Sequence, residues 1–274
     1  MSYSVDFFLK SDIITVKHIS NERANMKFIS GLVSVSFRSL GYEEIIEVTK
    51  SSGLFAIEWG GDIHSPAGDI EKAGIIRKDT AASGITVAEY GSYYRLGSSN
   101  NEQRRAIVTS ARELGCDTVR VWASVKNRPS HTEEEYSAVI DDTRELCKNN
   151  PDLIFALECH NNTLTEDYRD AIAFLEDVSC PNLKMFWQPN QYRDHEYNLA
   201  ALSALLPFIV SVHVFAWEGD RKLPLASHAH LWRDYLDILK GSDAEKIYLM
   251  LEFMYDNSVS SLKSEADTLN SWIE

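Results

Sequence analysis

Short apolar runs alternate with amphipathic stretches along most of the chain. Eight of the runs predict strands: Phe28–Ser34, Leu54–Glu58, Ile85–Tyr90, Thr118–Trp122, Leu153–Glu158, Leu183–Gln188, Ile209–Phe215 and Ile247–Glu252. Each is rich in β-branched, aromatic or aliphatic residues and is followed by turn-type or helix-starting sequence, as in parallel strands covered on both faces. Between them, Tyr42–Lys50, Asp69–Ala82, Glu102–Leu114, Glu133–Lys148, Glu166–Asp177, Leu199–Leu206 and His228–Lys240 carry apolar residues at helical spacing, and Leu262–Ile273 closes the series. Thr132 and Thr165 precede acidic residues and predict N-caps. Gly84 and Gly115 predict the stops of the helices before them.

Parallel strands need crossover connections, and eight strand–helix units in about 250 residues is the count of a (β/α)8 barrel. The expected fold is therefore a single α/β TIM barrel over residues 26–274. A doubly wound open sheet is the runner-up, but the chain has no GxGxxG or GxxxxGK[ST] to support it. Residues 1–25 stand outside the pattern and read as an N-terminal extension. Two places are open to it: the barrel floor, or a neighbouring subunit of a homo-oligomer.

Composition narrows the function classes. The 274 residues are 44% hydrophobic, enough for a large core, and carry 41 acidic against 27 basic groups, a formal net charge of −14. So acidic a surface repels phosphate backbones and argues against nucleic acid as a partner. No apolar stretch approaches a membrane span. Asp6, Lys10 and Asp12 interrupt any signal-like run at the N-terminus. Cys116, Cys147, Cys159 and Cys180 form no CxxC pair and read as reduced thiols of a cytoplasmic protein.

Candidate chemistry sits where apolar runs stop. Glu158, Gln188, His213 and Glu252 end, or nearly end, four consecutive strands, and strand ends of a parallel barrel converge on one mouth. A single strand-end carboxylate is as readily a salt bridge or a cap. Four polar groups in register point instead to one divalent cation. Side-chain parity turns Glu158 inward with Ala156, His213 with Ser211 and Trp217, and Glu252 with Tyr248 and Met250. Trp122 turns inward with Thr118 and Arg120, whereas Trp59 and Trp187 alternate against Glu58 and Gln188 and are expected between strand and helix. His64, in a loop after the second strand, and His160 and Asn162, just past Glu158, fall where barrel enzymes place their working loops.

These residues carry a resemblance. GLFAIEWGGDIH (Gly53–His64), AEYGSYYRLG (Ala88–Gly97), TVRVWAS (Thr118–Ser124), ALECHNNTL (Ala156–Leu164) and the set Glu158, His213 and Glu252 resemble the xylose isomerase-like sugar phosphate isomerase/epimerase superfamily, the barrel group that includes endonuclease IV. The resemblance covers residue 26 to the C-terminus. It implies one divalent metal ion (Mn2+, Mg2+, Co2+ or Zn2+) with Glu158, His213 and Glu252 as ligands. It implies also that Glu158 and Glu252 are the catalytic acid/base pair that moves a proton beside a carbonyl through an enediolate. Family epimerases have Asp and, three residues on, His at the sixth strand. This chain has Gln188 and Gln191 there, so Gln188 would offer an amide oxygen and one negative charge fewer.

The expected substrate is a small carbohydrate: a sugar, sugar phosphate or keto-polyol. Glu58, His64, Trp122, His160, Asn162, Gln191 and Trp217 are the candidates for holding it. Two alternatives remain: a metal-assisted lyase or dehydratase on a keto-sugar, and a non-catalytic sugar-binding barrel, which the Gln188 departure favours.

Overall fold

A computed structural model describes residues 27–98 and 100–274. The strands are β1 (Phe28–Val33), β2 (Ala56–Gly60), β3 (Thr86–Arg95), β4 (Thr118–Trp122), β5 (Ile154–Glu158), β6 (Leu183–Trp187), β7 (Ile209–Val214) and β8 (Ile247–Leu251). They close into a barrel in which every neighbouring pair is parallel and β1 seals against β8, with Phe28 opposite Ile247 and Leu32 opposite Leu251. Helices α1 (Tyr42–Ser51), α2 (Ile70–Ala82), α3 (Asn101–Leu114), α4 (Glu133–Asn149), α5 (Tyr168–Val178), α6 (His195–Leu205), α7 (Ala229–Leu239) and α8 (Val259–Ile273) follow the strands in turn. The (β/α)8 expectation holds. The extension over residues 1–25 lies outside the described residues. No described helix is long and apolar enough to cross a membrane.

The main core is the layer between barrel and helices, with a smaller cluster of Val33, Val35, Ala56, Ala88 and Met250 elsewhere in the fold. Trp59 and Trp187 are fully buried, as parity predicts. Trp187 meets Trp232 and Tyr235 edge-on, with ring centroids 6.4 and 5.1 Å away. Such aromatic pairs contribute about 0.5–1.5 kcal/mol each beyond area burial.

Local signals account for most boundaries. Thr132 and Glu135 form a capping box at the start of α4. Gly115 adopts the left-handed conformation that ends α3 (φ 78°). Thr165 corrects its expected role. The N-cap of α5 is Asp167, whose side chain accepts from the Arg169 N–H at 2.9 Å, so the helix begins two residues later than the acidic pattern predicts. The Thr165 hydroxyl donates instead to the Glu158 carbonyl at the end of β5. Past β7 the chain makes a two-residue antiparallel ribbon, Trp217–Glu218 against Arg221–Lys222, which sets Trp217 beside the barrel mouth.

Candidate metal centre and active site

The strand-end groups meet. One oxygen of Glu158, one of Glu252 and a ring nitrogen of His213 lie within 4.8 Å of one another, all on buried residues. His213 Nδ1 is 3.0 Å from Gln188 Oε1, 3.4 Å from Glu252 Oε2 and 3.8 Å from Glu158 Oε1. Gln188 Nε2 donates to the Cys159 carbonyl at 2.7 Å, which turns the amide oxygen toward the cluster. Two carboxylate oxygens and an imidazole nitrogen thus lie close together, with the Gln188 amide oxygen beside that nitrogen. That donor set suits a divalent cation.

A second group of charged residues supports the first. Glu58, on β2, accepts from Arg120 Nε at 2.8 Å through Oε1, and its Oε2 lies 2.8 Å from His213 Nε2. Arg120, on β4, also donates to Glu158 Oε2, which the Trp122 indole N–H shares. Gly91 makes room for the pair: a Cβ there would stand 2.3 Å from Glu58 Oε1 and 3.0 Å from Arg120 Nη2. Sequence parity turned Arg120 inward but did not mark it as part of the site. Its signal was a charged residue in the middle of a buried strand, which must find opposite charge.

These contacts set the charge states. Burial alone would raise Glu58, but Arg120 and His213 hold it down at about 2. Burial likewise opposes ionisation of Glu158, and Arg120 and His213 overcome it, so its pKa lies below the ordinary value. Burial raises Glu252, and His213 only partly offsets this. His213 is pushed down by burial but carried up to about 9 by Glu252 and Glu58. Arg120 stays charged because Glu158 and Glu58 outweigh its desolvation. The two expected catalytic carboxylates thus differ: Glu158 is a clamped anion, and Glu252 holds its proton more readily.

A cavity of about 150 Å³ opens from the cluster between the loops after β5 and β6. His160, Gln191 and Trp217, three of the residues proposed from the sequence, line it together with Tyr168, Tyr197 and Asn190. Trp122 stacks on His160 at 4.6 Å and ties that wall to Glu158.

Three expected substrate contacts fall elsewhere. Glu58 is fully buried beneath His213 and has both oxygens engaged, so it holds residues rather than substrate. His64 is buried with Nδ1 3.0 Å from Ser34 Oγ and Nε2 3.2 Å from the Leu40 carbonyl, a use that joins the β1 and β2 loops. Asn162 takes a left-handed turn position (φ 58°), where its N–H donates to Glu166 at 2.6 Å, and it lies off the cavity wall.

A family model described as a xylose isomerase-like TIM barrel matches residues 46–272. The chain belongs to that family. Among curated proteins none matches it. Among solved structures, a probable 3-DHS dehydratase involved in petrobactin synthesis from Bacillus anthracis superposes with TM-score 0.75 at 18% identity, over 88% of this chain and 98% of that one. The D-psicose 3-epimerase of Clostridium cellulolyticum H10, solved with D-tagatose, superposes with TM-score 0.66 at 15% identity, over 89% and 98%. A xylose isomerase-like TIM barrel protein from Mycobacterium smegmatis, solved with magnesium, gives 0.60 at 13%, over 92% and 99%. At such identities the likeness is one of fold. Of these structures one is described as a probable dehydratase and one as an epimerase.

Proposed function

We propose that this xylose isomerase-like barrel is a divalent-metal-dependent isomerase or epimerase of a small sugar, sugar phosphate or keto-polyol. The observation that carries the proposal is the convergence of Glu158, Gln188 Oε1, His213 Nδ1 and Glu252 beside a cavity. Those four residues would hold the ion. A bound Mn2+, Mg2+, Co2+ or Zn2+ would bring two neighbouring substrate oxygens together and polarise the carbonyl.

The chain's own groups do the rest. Glu252 takes the proton beside the carbonyl, because burial keeps its basicity higher than that of Glu158. In isomerisation Glu252 hands that proton to the neighbouring carbon of the enediolate, while Glu158 Oε1, the ionised oxygen free of Arg120 and Trp122, carries the hydroxyl proton from one substrate oxygen to the other. His160, Gln191 and Trp217 bind the hydroxyls and one ring face. The free thiols fit a reducing, cytoplasmic setting.

One observation favours a second reading, a dehydratase or lyase on a keto-sugar. Glu158 Oε2 is committed to two donors, so Glu252 is the less encumbered base, and elimination needs only one base before a hydroxyl leaves. Both readings begin with the same proton abstraction. The test is chelator-stripped full chain, reloaded with Mn2+ and incubated in D2O with a panel of keto-sugars. Deuterium beside the carbonyl, with an isomeric product, is the expected result. A product lighter by one water gives the dehydratase. Glu252→Gln should lower either rate by about 10²-fold or more. Stoichiometric metal uptake with no exchange on any substrate would leave a binding barrel and overturn the enzymatic reading.

A further inference from the structure

Glu58 lies too deep to touch substrate, yet it engages two charged residues at once. Its carboxylate accepts from Arg120 through one oxygen and faces His213 Nε2 with the other. A carboxylate can only accept, so the proton on that side of the imidazole must sit on Nε2. A neutral His213 then presents its lone pair from Nδ1, the nitrogen aimed at Gln188, Glu158 and Glu252. Were the proton on Nδ1 instead, an N–H would point into the donor set and the imidazole could not ligate.

We propose that Glu58, oriented by Arg120, is a positioning residue that fixes the His213 tautomer and so makes the four-residue cluster a cation site. This rests on the metal-dependent reading above and names what builds that site. Arg120 acts twice. It holds Glu58 in place, and it takes up Glu158 Oε2, so that Oε1 is the Glu158 oxygen left facing the centre. One guanidinium thereby aligns two ligands on strands β5 and β7, through β2 in the second case. Gly91 belongs to the same device, because any side chain at that position would displace Glu58 and Arg120 together.

The isosteric variant Glu58→Gln separates this role from simple packing. Arg120 has only donors, so it captures the new amide's oxygen. The amide nitrogen then faces His213 Nε2 and donates to it. The imidazole proton is driven to Nδ1, and ligation fails although shape and volume are unchanged. Glu58→Asp is smaller but remains an acceptor. A packing role ranks Gln above Asp; the tautomer role ranks Asp above Gln.

The experiment is calorimetric titration of Mn2+ into chelator-stripped full-length protein. Wild type should bind about one ion, Glu58→Gln should bind about 10–100-fold more weakly, and Glu58→Asp should fall between them. Nitrogen-15 spectra of His213, taken in metal-free protein at a pH where the spectra themselves show a neutral imidazole, should show the proton on Nε2 in wild type and on Nδ1 in Glu58→Gln. Wild-type affinity in Glu58→Gln, or an unchanged tautomer, overturns the inference. Failure of the wild type itself to take up Mn2+ sinks the metal-dependent function instead, and the nitrogen spectra still decide whether Glu58 sets the tautomer.

Discussion

Glu89 lies beside Glu58 across the β2–β3 pair and has no part in the proposed chemistry. It is buried, and among the described residues its Oε2 finds no hydrogen-bond partner. Burial first, and then the neighbouring Glu58 charge, raise its pKa well above the ordinary carboxylate value. The folded protein therefore keeps a proton on Glu89 that the unfolded chain releases above about pH 4.3. Since the folded state binds more protons, stability from this group is complete below that pH and is lost as pH rises toward the folded pKa. Glu89→Gln mimics the protonated form and removes the dependence. Above the unfolded value of about 4.3, wild-type unfolding free energy should fall relative to the variant as pH rises, by up to about 1.4 kcal/mol per pH unit, until Glu89 ionises in the folded protein. Urea titrations of both proteins measure it. Parallel pH profiles would show that Glu89 is ionised when folded.

At the scale of strands, β3 carries a requirement that its sequence states plainly once the neighbours are known. Gly91 faces Arg120 across the β3–β4 pair, and the Glu58–Arg120 ion pair fills the space where a Cβ would be. Both side chains are held by further partners, so they cannot swing aside. Gly91→Ala should cost about 1–3 kcal/mol through overpacking and weaken Mn2+ binding in step. Thermal melts and metal titration of the same sample check both. Full metal affinity in a destabilised variant would separate the glycine from the site. This pairing also marks where sequence reading ends. The eight strands were legible because strands covered on both faces are apolar runs, and Glu158, Gln188, His213 and Glu252 were legible because they interrupt those runs. The positioning residues were not, since parity tells that Glu58 and Arg120 point inward but not that side chains 62 positions apart meet. His64 misled for a related reason. A loop histidine near the mouth suggests substrate, but the fold brings Ser34 Oγ and the Leu40 carbonyl to its two nitrogens.

For the whole molecule, the site joins segments that are otherwise distant. The proposed ligands come from the ends of β5, β6, β7 and β8, and Glu58 and Arg120 extend the same network to β2 and β4. Unfolding any part of the barrel must disperse the ligands, so an ion that binds only the folded state stabilises all of it. At a hundredfold excess over its dissociation constant that linkage contributes about 2.7 kcal/mol. For a domain of this size, 1 kcal/mol moves the midpoint by about 2–4 °C. Saturating Mn2+ should therefore raise Tm by roughly 5–10 °C. A chelator should reverse the shift. Glu252→Ala, which removes one ligand charge without touching the Glu58–Arg120–Glu158 network, should show little of it while keeping a cooperative transition. Scanning calorimetry with Mn2+, Co2+, Zn2+ and Mg2+ in turn would also rank the ions. If no divalent ion moves the midpoint of the wild type, the strand-end cluster is a buried charge network serving the fold alone.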